Sequence, residues 1–386
     1  VDKPIITSLL DTDFYKYSMG QVVYNNFPDA MVEYEFKCRD PHLSFAPIMN
    51  ELHRQVEAFC GLSHSDEELQ YLNSLGYFKP AYLEFLKNYR PPYKAVELGC
   101  SSSGELSIRI KGSWLQTIFF EVPLLAIVNE LYFKHTTKNP DYIGAVSLLM
   151  DKIGSANNVG LPFVDFGTRR RFSQDWQCTA LDKILSYSKT FGGTSNIYFA
   201  KHFKQRVIGT MAHEFICAMQ GLVPIRDSQS FALELWLKEY RGRLGIVLSD
   251  TLGMNAFLRD FDYLLASAYS GARQDSGNPF DWCDKLIAHY RKLDINPETK
   301  TAVFSDGLTF PKAIEIYERY KGKINMLFGI GTNLMNSFPD VKPLQIVIKL
   351  TKVQGLPVIK LSDSEGKSMC KDAEYMAWVK KVFQIN

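Results

Sequence analysis

The chain has 386 residues, enough for two average domains, and 46% hydrophobic residues supply material for a large core. Lys and Arg number 44 against 42 Asp and Glu, a net charge of +2, so no global field favours nucleic acid or an anionic membrane. The longest apolar run, Ile118 to Val128, is broken by Glu121 and falls short of a bilayer, and the opening Val-Asp-Lys-Pro-Ile-Ile has neither the basic nor the apolar segment of a signal peptide.

In chain order, residues 4–27 read as an unusually aromatic helix around Leu10-Asp-Thr-Asp13, with Asp11, Thr12 and Asp13 as candidate caps. Met31 to Arg39 alternates strictly, Val32, Tyr34, Phe36 and Cys38 on one face and Glu33, Glu35, Lys37 and Arg39 on the other, so it predicts a half-buried strand. Two or three helices follow, one opening with the capping box Ser65-Asp-Glu-Glu68. Residues 105–111 alternate as a second strand, and a long helix runs from about Pro123 to His135. The seven cysteines are scattered and never form a C-x-x-C pair, which signals neither disulfides nor zinc; they read as reduced, mostly buried thiols of a cytosolic protein.

From about residue 160 short apolar runs alternate with helical stretches, at 163–167, 190–194, 206–210, 245–250, 268–273, 301–305 and 325–330. This is the pattern of parallel strands joined by crossover helices. Polar and glycine-rich groups follow each run: Gly167-Thr-Arg169, Gly193-Thr-Ser-Asn196, Ala212-His213-Glu214, Ser249-Asp250, Arg273-Gln-Asp-Ser-Gly277, Ser305-Asp-Gly307 and Gly329-Ile-Gly-Thr332. In an irregular β/α barrel of about seven strands these ends meet on one face; a doubly wound sheet would use only one or two of them. After residue 335 strand patterns return, at 344–351 and 357–361 around a Gln354-Gly355 turn. The expected α/β architecture is therefore a barrel at 136–337 and an outer α/β domain formed from both chain ends, 1–135 and 338–386.

Singly, the strand-end groups are ordinary turns and caps. Phe166-Gly-Thr-Arg-Arg-Arg-Phe-Ser173 sets three guanidinium groups beside a helix start capped by Ser173, a place suited to phosphate. Gly329-Ile-Gly-Thr332 offers closely spaced N–H groups, without the third glycine of a dinucleotide fingerprint, and no P-loop motif occurs. Arg273 and Asp275 stand two residues apart, as a shared site or a local ion pair. Asp250 and Asp306 end other runs, where they could bind Mg²⁺ or ribose hydroxyls or cap helices. A strand leads directly into His213, beside Glu214, and a neutral imidazole there can attack a phosphoryl group. Together they describe a site for a substrate with at least two phosphates, and a nucleotide-type sugar phosphate fits better than a neutral sugar.

Leu-Leu-Asp-Thr-Asp-Phe-Tyr-Lys (9–16), Phe-Gly-Thr-Arg-Arg-Arg (166–171), Gly-Thr-Ser-Asn (193–196), Gly-Thr-Met-Ala-His-Glu (209–214), Arg-Gln-Asp-Ser-Gly (273–277) and Phe-Gly-Ile-Gly-Thr-Asn (328–333) closely resemble the nicotinate phosphoribosyltransferase family. Ile-Val-Ile-Lys-Leu (346–350) and Lys-Leu-Ser-Asp (360–363) extend the match almost end to end; Asn278 stands where the family usually has Asp. The resemblance implies a type II phosphoribosyltransferase fold and an entry reaction to NAD synthesis. Nicotinate attacks phosphoribosyl pyrophosphate, giving nicotinate mononucleotide and pyrophosphate, with Mg²⁺ present and ATP hydrolysis coupled.

The resemblance also assigns roles. Phe166 stacks on the pyridine ring opposite Tyr15, while Arg169 and Arg273 supply charge near the carboxylate or pyrophosphate. Asp275 holds ribose hydroxyls. Asp306, Gly307, Gly329, Gly331 and Thr332, with Arg169, form the phosphate site. His213 is the phosphorylated residue, oriented by Asp250. Ser195 separates this family from nicotinamide-using relatives, which carry Asp there: a serine hydroxyl can donate to a carboxylate, whereas Asp accepts from an amide. In related enzymes the N-terminal Tyr reaches a neighbouring subunit, which implies a homodimer with shared sites; monomeric members are the alternative. A non-catalytic barrel that only binds a phosphorylated metabolite is the rival from another class, and the full set of reactive strand-end residues argues against it.

Overall fold

The aromatic N-terminal stretch becomes helical later than its composition predicts. Helix α1 spans Phe14–Asn26, and Asp13 at its N-cap makes no side-chain cap bond. Residues 4–13 are not helical, because Asp11 and Asp13 spend their carboxylates on distant partners described below. The computed structural model describes residues 3–40, 42–363, 370 and 372–385. The chain separates into two units, the first comprising Val1–Asp29, Glu33–Gly209 and Ile330–Lys349, the second Ala30–Val32, Thr210–Gly329 and Leu350–Asn386.

The first unit carries most of β1 (Met31–Cys38), then α2 (Met49–Cys60), α3 (Asp66–Ser74), α4 (Pro80–Asn88), β2 (Val96–Cys100), β3 (Leu106–Ser113), α5 (Trp114–Thr117), α6 (Glu121–Thr136) and α7 (Tyr142–Val159). It continues through β4 (Phe163–Asp165), α8 (Gln174–Tyr187), β5 (Phe191–Thr194) and α9 (Ile197–His202). The alternation seen in the sequence holds: Val32, Tyr34 and Phe36 are buried in β1. Ser65 and Glu68 form both bonds of the capping box at α3. β2 pairs antiparallel with β3 over five residue pairs. Helix α6 is buried almost all round, from Val122 to Leu131, as a central core helix should be. The stretch Trp114–Thr136, long and apolar enough to cross a membrane, has 94% of its apolar window buried inside the fold.

Six of the seven expected parallel runs form strands; 206–210 does not. It touches β5 through one bridge, Thr194 to Val207. Gly193, at φ +132°, lets it approach so closely that a Cβ would sit 2.2 Å from the Arg206 carbonyl oxygen. β4 and β5 pair in parallel, which brings the ends Asp165 and Thr194 level.

The second unit carries α10 (His213–Met219), α11 (Ser228–Tyr240), β6 (Ile246–Leu248), α12 (Met254–Asp260), α13 (Tyr263–Ala268), β7 (Gly271–Gln274), α14 (Pro279–Lys292), β8 (Thr301–Phe304), α15 (Phe310–Tyr320) and β9 (Asn325–Ile330). Strands β6, β7, β8 and β9 are parallel neighbours in that order, Val247 level with Ala272, Ala302 and Met326. Their C-terminal ends therefore deliver Asp250, Asp275 and Asp306 from adjacent strands. Asn278, the departure from the family pattern, caps α14 by accepting from Phe280 N and Asp281 N, a task its amide oxygen performs as a carboxylate would.

Helix α16 (Thr332–Met335) belongs to the first unit. Strand β10 (Ile346–Val353) turns through Gln354 and Gly355, both at positive φ, into β11 (Leu356–Pro357), the expected hairpin. Helix α17 (Ala373–Val382) packs Val379 and neighbouring Phe383 against Ile225, Leu252, Ala256 and Ile359, which fixes the segment leading to Lys360. None of the seven cysteines is in a disulfide, but "mostly buried" needs correcting: only Cys217 and Cys283 are buried, and Cys100 is exposed.

Candidate active site

The two units each hold one dense cluster of polar side chains. In the first, the turn after β4 is anchored from three directions. Asp165, fully buried, accepts from Gly167 N at 2.7 Å, Thr194 Oγ1 at 2.7 Å and Gln177 Nε2 at 2.8 Å. Burial still pushes this carboxyl up to about 6, against those three hydrogen bonds. Gly167 is required: a Cβ would lie 2.4 Å from Met335 Cγ. Phe166, partly exposed, is set by its N–H donating to Ile330 O at 3.0 Å.

The three arginines have three different fates. Arg171 is wholly buried and binds Asp11 through two 2.7 Å bonds. Arg170 donates from Nε to the Ile346 carbonyl at 3.1 Å. Arg169 is the exposed one, at 46%, and pairs with Glu121 at 3.2 Å. The sequence reading of a joint guanidinium cluster is thus corrected: Arg171 serves the fold, and of the three only Arg169 is exposed.

Beside it, Lys16 pairs with the other oxygen of Glu121 at 2.7 Å. Burial raises the Glu121 carboxyl, but Lys16 and then Arg169 outweigh it, so it stays ionised. Ser195 Oγ donates to Asp13 Oδ1 at 2.6 Å. Tyr15, 8% exposed, also hydrogen-bonds Asp13. Burial raises Asp13 above the ordinary carboxylate value, with Arg169 opposing. Asn196 donates to Asp11 Oδ1 at 2.7 Å and to Thr168 Oγ1 at 3.1 Å, tying the N-terminal segment to the β4 and β5 turns. Gly331 and Thr332 open α16, both partly exposed.

In the second unit, His213 Nε2 lies 2.8 Å from Asp250 Oδ1 and Nδ1 lies 3.7 Å from Asp275 Oδ2. Lys360 Nζ is 2.8 Å from Asp250 Oδ2 and 3.7 Å from Asp275 Oδ2. Ser276 donates to Asp250 Oδ2, and Ser305 to Asp275 Oδ1 at 2.8 Å. Burial, then the Lys360 ammonium, holds the His213 imidazole below its usual value, so it is neutral at pH 7. Burial opposes the charges on Asp250 and Lys360, yet their partners prevail: His213 and then Lys360 hold Asp250 well below the carboxylate range, and Asp250 and then Asp275 keep Lys360 protonated. Asp275 is likewise lowered, against burial, by Lys360 and then Arg273. Arg273 is partly exposed, with Nε buried and without a hydrogen bond. Asp306, partly exposed, and Gly307, exposed, follow β8; Gly329 is a buried residue inside β9.

His213, Asp250 and Asp275 bring one ligand atom each within 4.8 Å of one another, a spacing a metal ion could use. The donors do not fit a resident Mg²⁺. That ion needs free oxygen ligands, whereas both Asp250 oxygens are taken by His213, Lys360 and Ser276, and the Lys360 ammonium already neutralises one of the two carboxylates.

Sequence reasoning missed Lys360, Glu121, Lys16 and the Asp11–Arg171 pair. Two signals were present: a carboxylate inside an apolar run at Glu121, and Lys360 opening the Lys-Leu-Ser-Asp motif.

A nicotinate phosphoribosyltransferase (NAPRTase) family model matches residues 161–386, and the model of that family's N-terminal domain matches residues 10–129. The chain is 48% identical over 394 residues to nicotinate phosphoribosyltransferase of Acidovorax sp. (strain JS42), covering 99% of both chains. It is 47% identical over 389 residues to that of Burkholderia mallei, covering 99% of this chain and 97% of the relative. Among solved structures, nicotinate phosphoribosyltransferase from Porphyromonas gingivalis superposes with TM-score 0.95 at 32% identity over 99% of this chain and all of the other. The enzyme from Vibrio cholerae gives 0.94 at 38% identity, over 99% and 94% of the two chains. The chain belongs to the nicotinate phosphoribosyltransferase family and is an enzyme of that type.

Proposed function

We propose that the chain transfers the phosphoribosyl group of phosphoribosyl pyrophosphate to nicotinate, with ATP hydrolysis coupled through His213, as an entry step of NAD synthesis. Family membership supports the transfer. The observation that carries the coupling is the His213–Asp250 contact of 2.8 Å. A carboxylate only accepts, so Nε2 holds the proton, and the neutral ring presents its lone pair at Nδ1. That nitrogen is the nucleophile for the γ-phosphoryl group of ATP.

The first unit's cluster is assigned to the base: Phe166 and Tyr15 for the ring, Arg169 for negative charge, Ser195 for the carboxylate. In the second unit, Arg273 and Asp275 serve the phosphoribosyl substrate and Asp306, Gly307 and Gly329 contribute to phosphate binding; in the first unit Gly331, Thr332 and Arg169 are assigned to phosphate as well. Displacement at the sugar carbon builds positive charge there and negative charge on the leaving pyrophosphate, so fixed charges and alignment of the pyridine nitrogen carry the catalysis. Mg²⁺ is assigned to the substrate pyrophosphate rather than to a protein cage. The parallel strands are read as part of an irregular β/α barrel, and the enzyme as cytoplasmic. The test is pyrophosphate release from phosphoribosyl pyrophosphate with nicotinate or nicotinamide as acceptor. Nicotinate is expected to be the better acceptor; equal or greater use of nicotinamide overturns the assignment of the base.

A further inference from the structure

We propose that Lys360 is the built-in counter-charge for the phosphoryl group carried by His213, and that it governs how much phosphoenzyme accumulates and how long it lasts. This rests on the phosphohistidine reading above. His213 and Lys360 flank the same two carboxylates: each touches Asp250 at 2.8 Å, on different oxygens, and each lies 3.7 Å from Asp275 Oδ2. The lysine side chain is 12% exposed. Its backbone is pinned on both sides. Ile359 exchanges bonds with the Gln220 side chain at 2.8 and 2.9 Å, and Leu361 N donates to Thr251 O at 2.9 Å.

Phosphorylation makes the need for this cation concrete. The bond from the γ-phosphorus to its bridging oxygen breaks, the electron pair leaves with ADP, and the Nδ1 lone pair forms the new P–N bond. No proton moves, because Nδ1 carries none and Nε2–H remains on Asp250. The new group brings close to two negative charges to a nitrogen 3.7 Å from a carboxylate oxygen, Asp275 Oδ2. The ammonium of Lys360 stands equally far from that oxygen, on a flexible four-carbon stem. It can turn to the phosphoryl oxygens while the backbone stays fixed. Arg273, in β7 just before Asp275, also acts on that carboxylate, but it has no ion pair to Asp250 among the described residues.

The test labels the intact protein with γ-³²P ATP at a fixed ATP:ADP ratio, quenches in alkali, and follows label and its decay in wild type, His213→Asn, Lys360→Gln and Lys360→Arg. Lys360→Gln keeps a donor for Asp250 without the charge; Lys360→Arg keeps the charge. Label is expected in wild type and absent in His213→Asn. In Lys360→Gln it should fall about tenfold or more and decay faster, the loss expected of one charge-assisted contact. Lys360→Arg should recover most of it, which a purely structural role does not predict. Wild-type label and lifetime in Lys360→Gln overturns the proposal, and so does a folded Lys360→Arg as poor as the glutamine variant. No label in wild type, or label retained in His213→Asn, overturns the phosphohistidine reading and this inference with it.

Discussion

Asp11 and Arg171, 160 residues apart, meet through two 2.7 Å hydrogen bonds with both side chains wholly out of solvent. Gln174, Gln177 and Asn196 complete the shell. The pair ties the segment before α1 to the turn carrying Phe166 and Arg169. Breaking a buried pair strands a charge. Asp11→Asn or Arg171→Gln should therefore lose about 3–5 kcal/mol in urea unfolding. A loss below about 1 kcal/mol, the worth of an exposed pair, contradicts this reading.

That pair also marks the limit of the sequence. Local signals were legible: the alternation of β1, the Ser65 box, the Ser173 cap and six of the parallel strands. β2 was not, because five half-exposed residues including Gly99 carry no alternation. Asp11 resembled a helix cap because a cap and a buried ion-pair partner use the same residue type, and its partner lies far along the chain. The nearby but separate duties of Arg169, Arg170 and Arg171 likewise depend on what each meets in three dimensions. Lys360 was visible as a motif member, but its function follows only from Asp250 and Asp275 converging on it.

Base selectivity is expected to depend on Ser195 together with Asp13. Ser195→Asp sets a second carboxyl against Asp13, now 2.6 Å from the serine oxygen, so the two must share a proton. The variant should raise the nicotinamide:nicotinate ratio of kcat/KM by about tenfold, one well-placed polar contact. Adding Asp13→Asn, which removes the competing carboxyl, should keep or increase the shift. An unchanged ratio in both variants removes Ser195 as the determinant.

Tyr15 is seated against Asp13 of its own chain and is 8% exposed there. The homodimer with shared sites implied by the family resemblance predicts that mixing Tyr15→Ala with Arg273→Ala restores partial activity after verified subunit exchange, because one hybrid site draws its defects from neither chain. No recovery shows instead a site complete within one chain.

His64 predicts a pH dependence of stability. Its Nδ1–H donates to Leu86 O at 3.0 Å and Nε2 faces Tyr17 Oη at 2.7 Å, with burial lowering its pKa from 6.5 to about 4. The unfolded chain thus binds the extra proton between those values, so stability present above pH 6.5 is lost as pH falls toward 4. The fall from pH 7 to 4.5 should be about 2–3 kcal/mol larger in wild type than in His64→Gln, by urea unfolding. Parallel pH profiles assign the titration elsewhere.

The most direct measurement follows nicotinate mononucleotide and ADP in the same reaction, in wild type and His213→Asn. The Nδ1 lone pair left by the 2.8 Å contact to Asp250 is the proposed link between the two products. Wild type is predicted to release ADP in step with nicotinate mononucleotide, and the variant to form the nucleotide slowly, at higher phosphoribosyl pyrophosphate, with no ADP. Undiminished ADP release by His213→Asn would contradict the account.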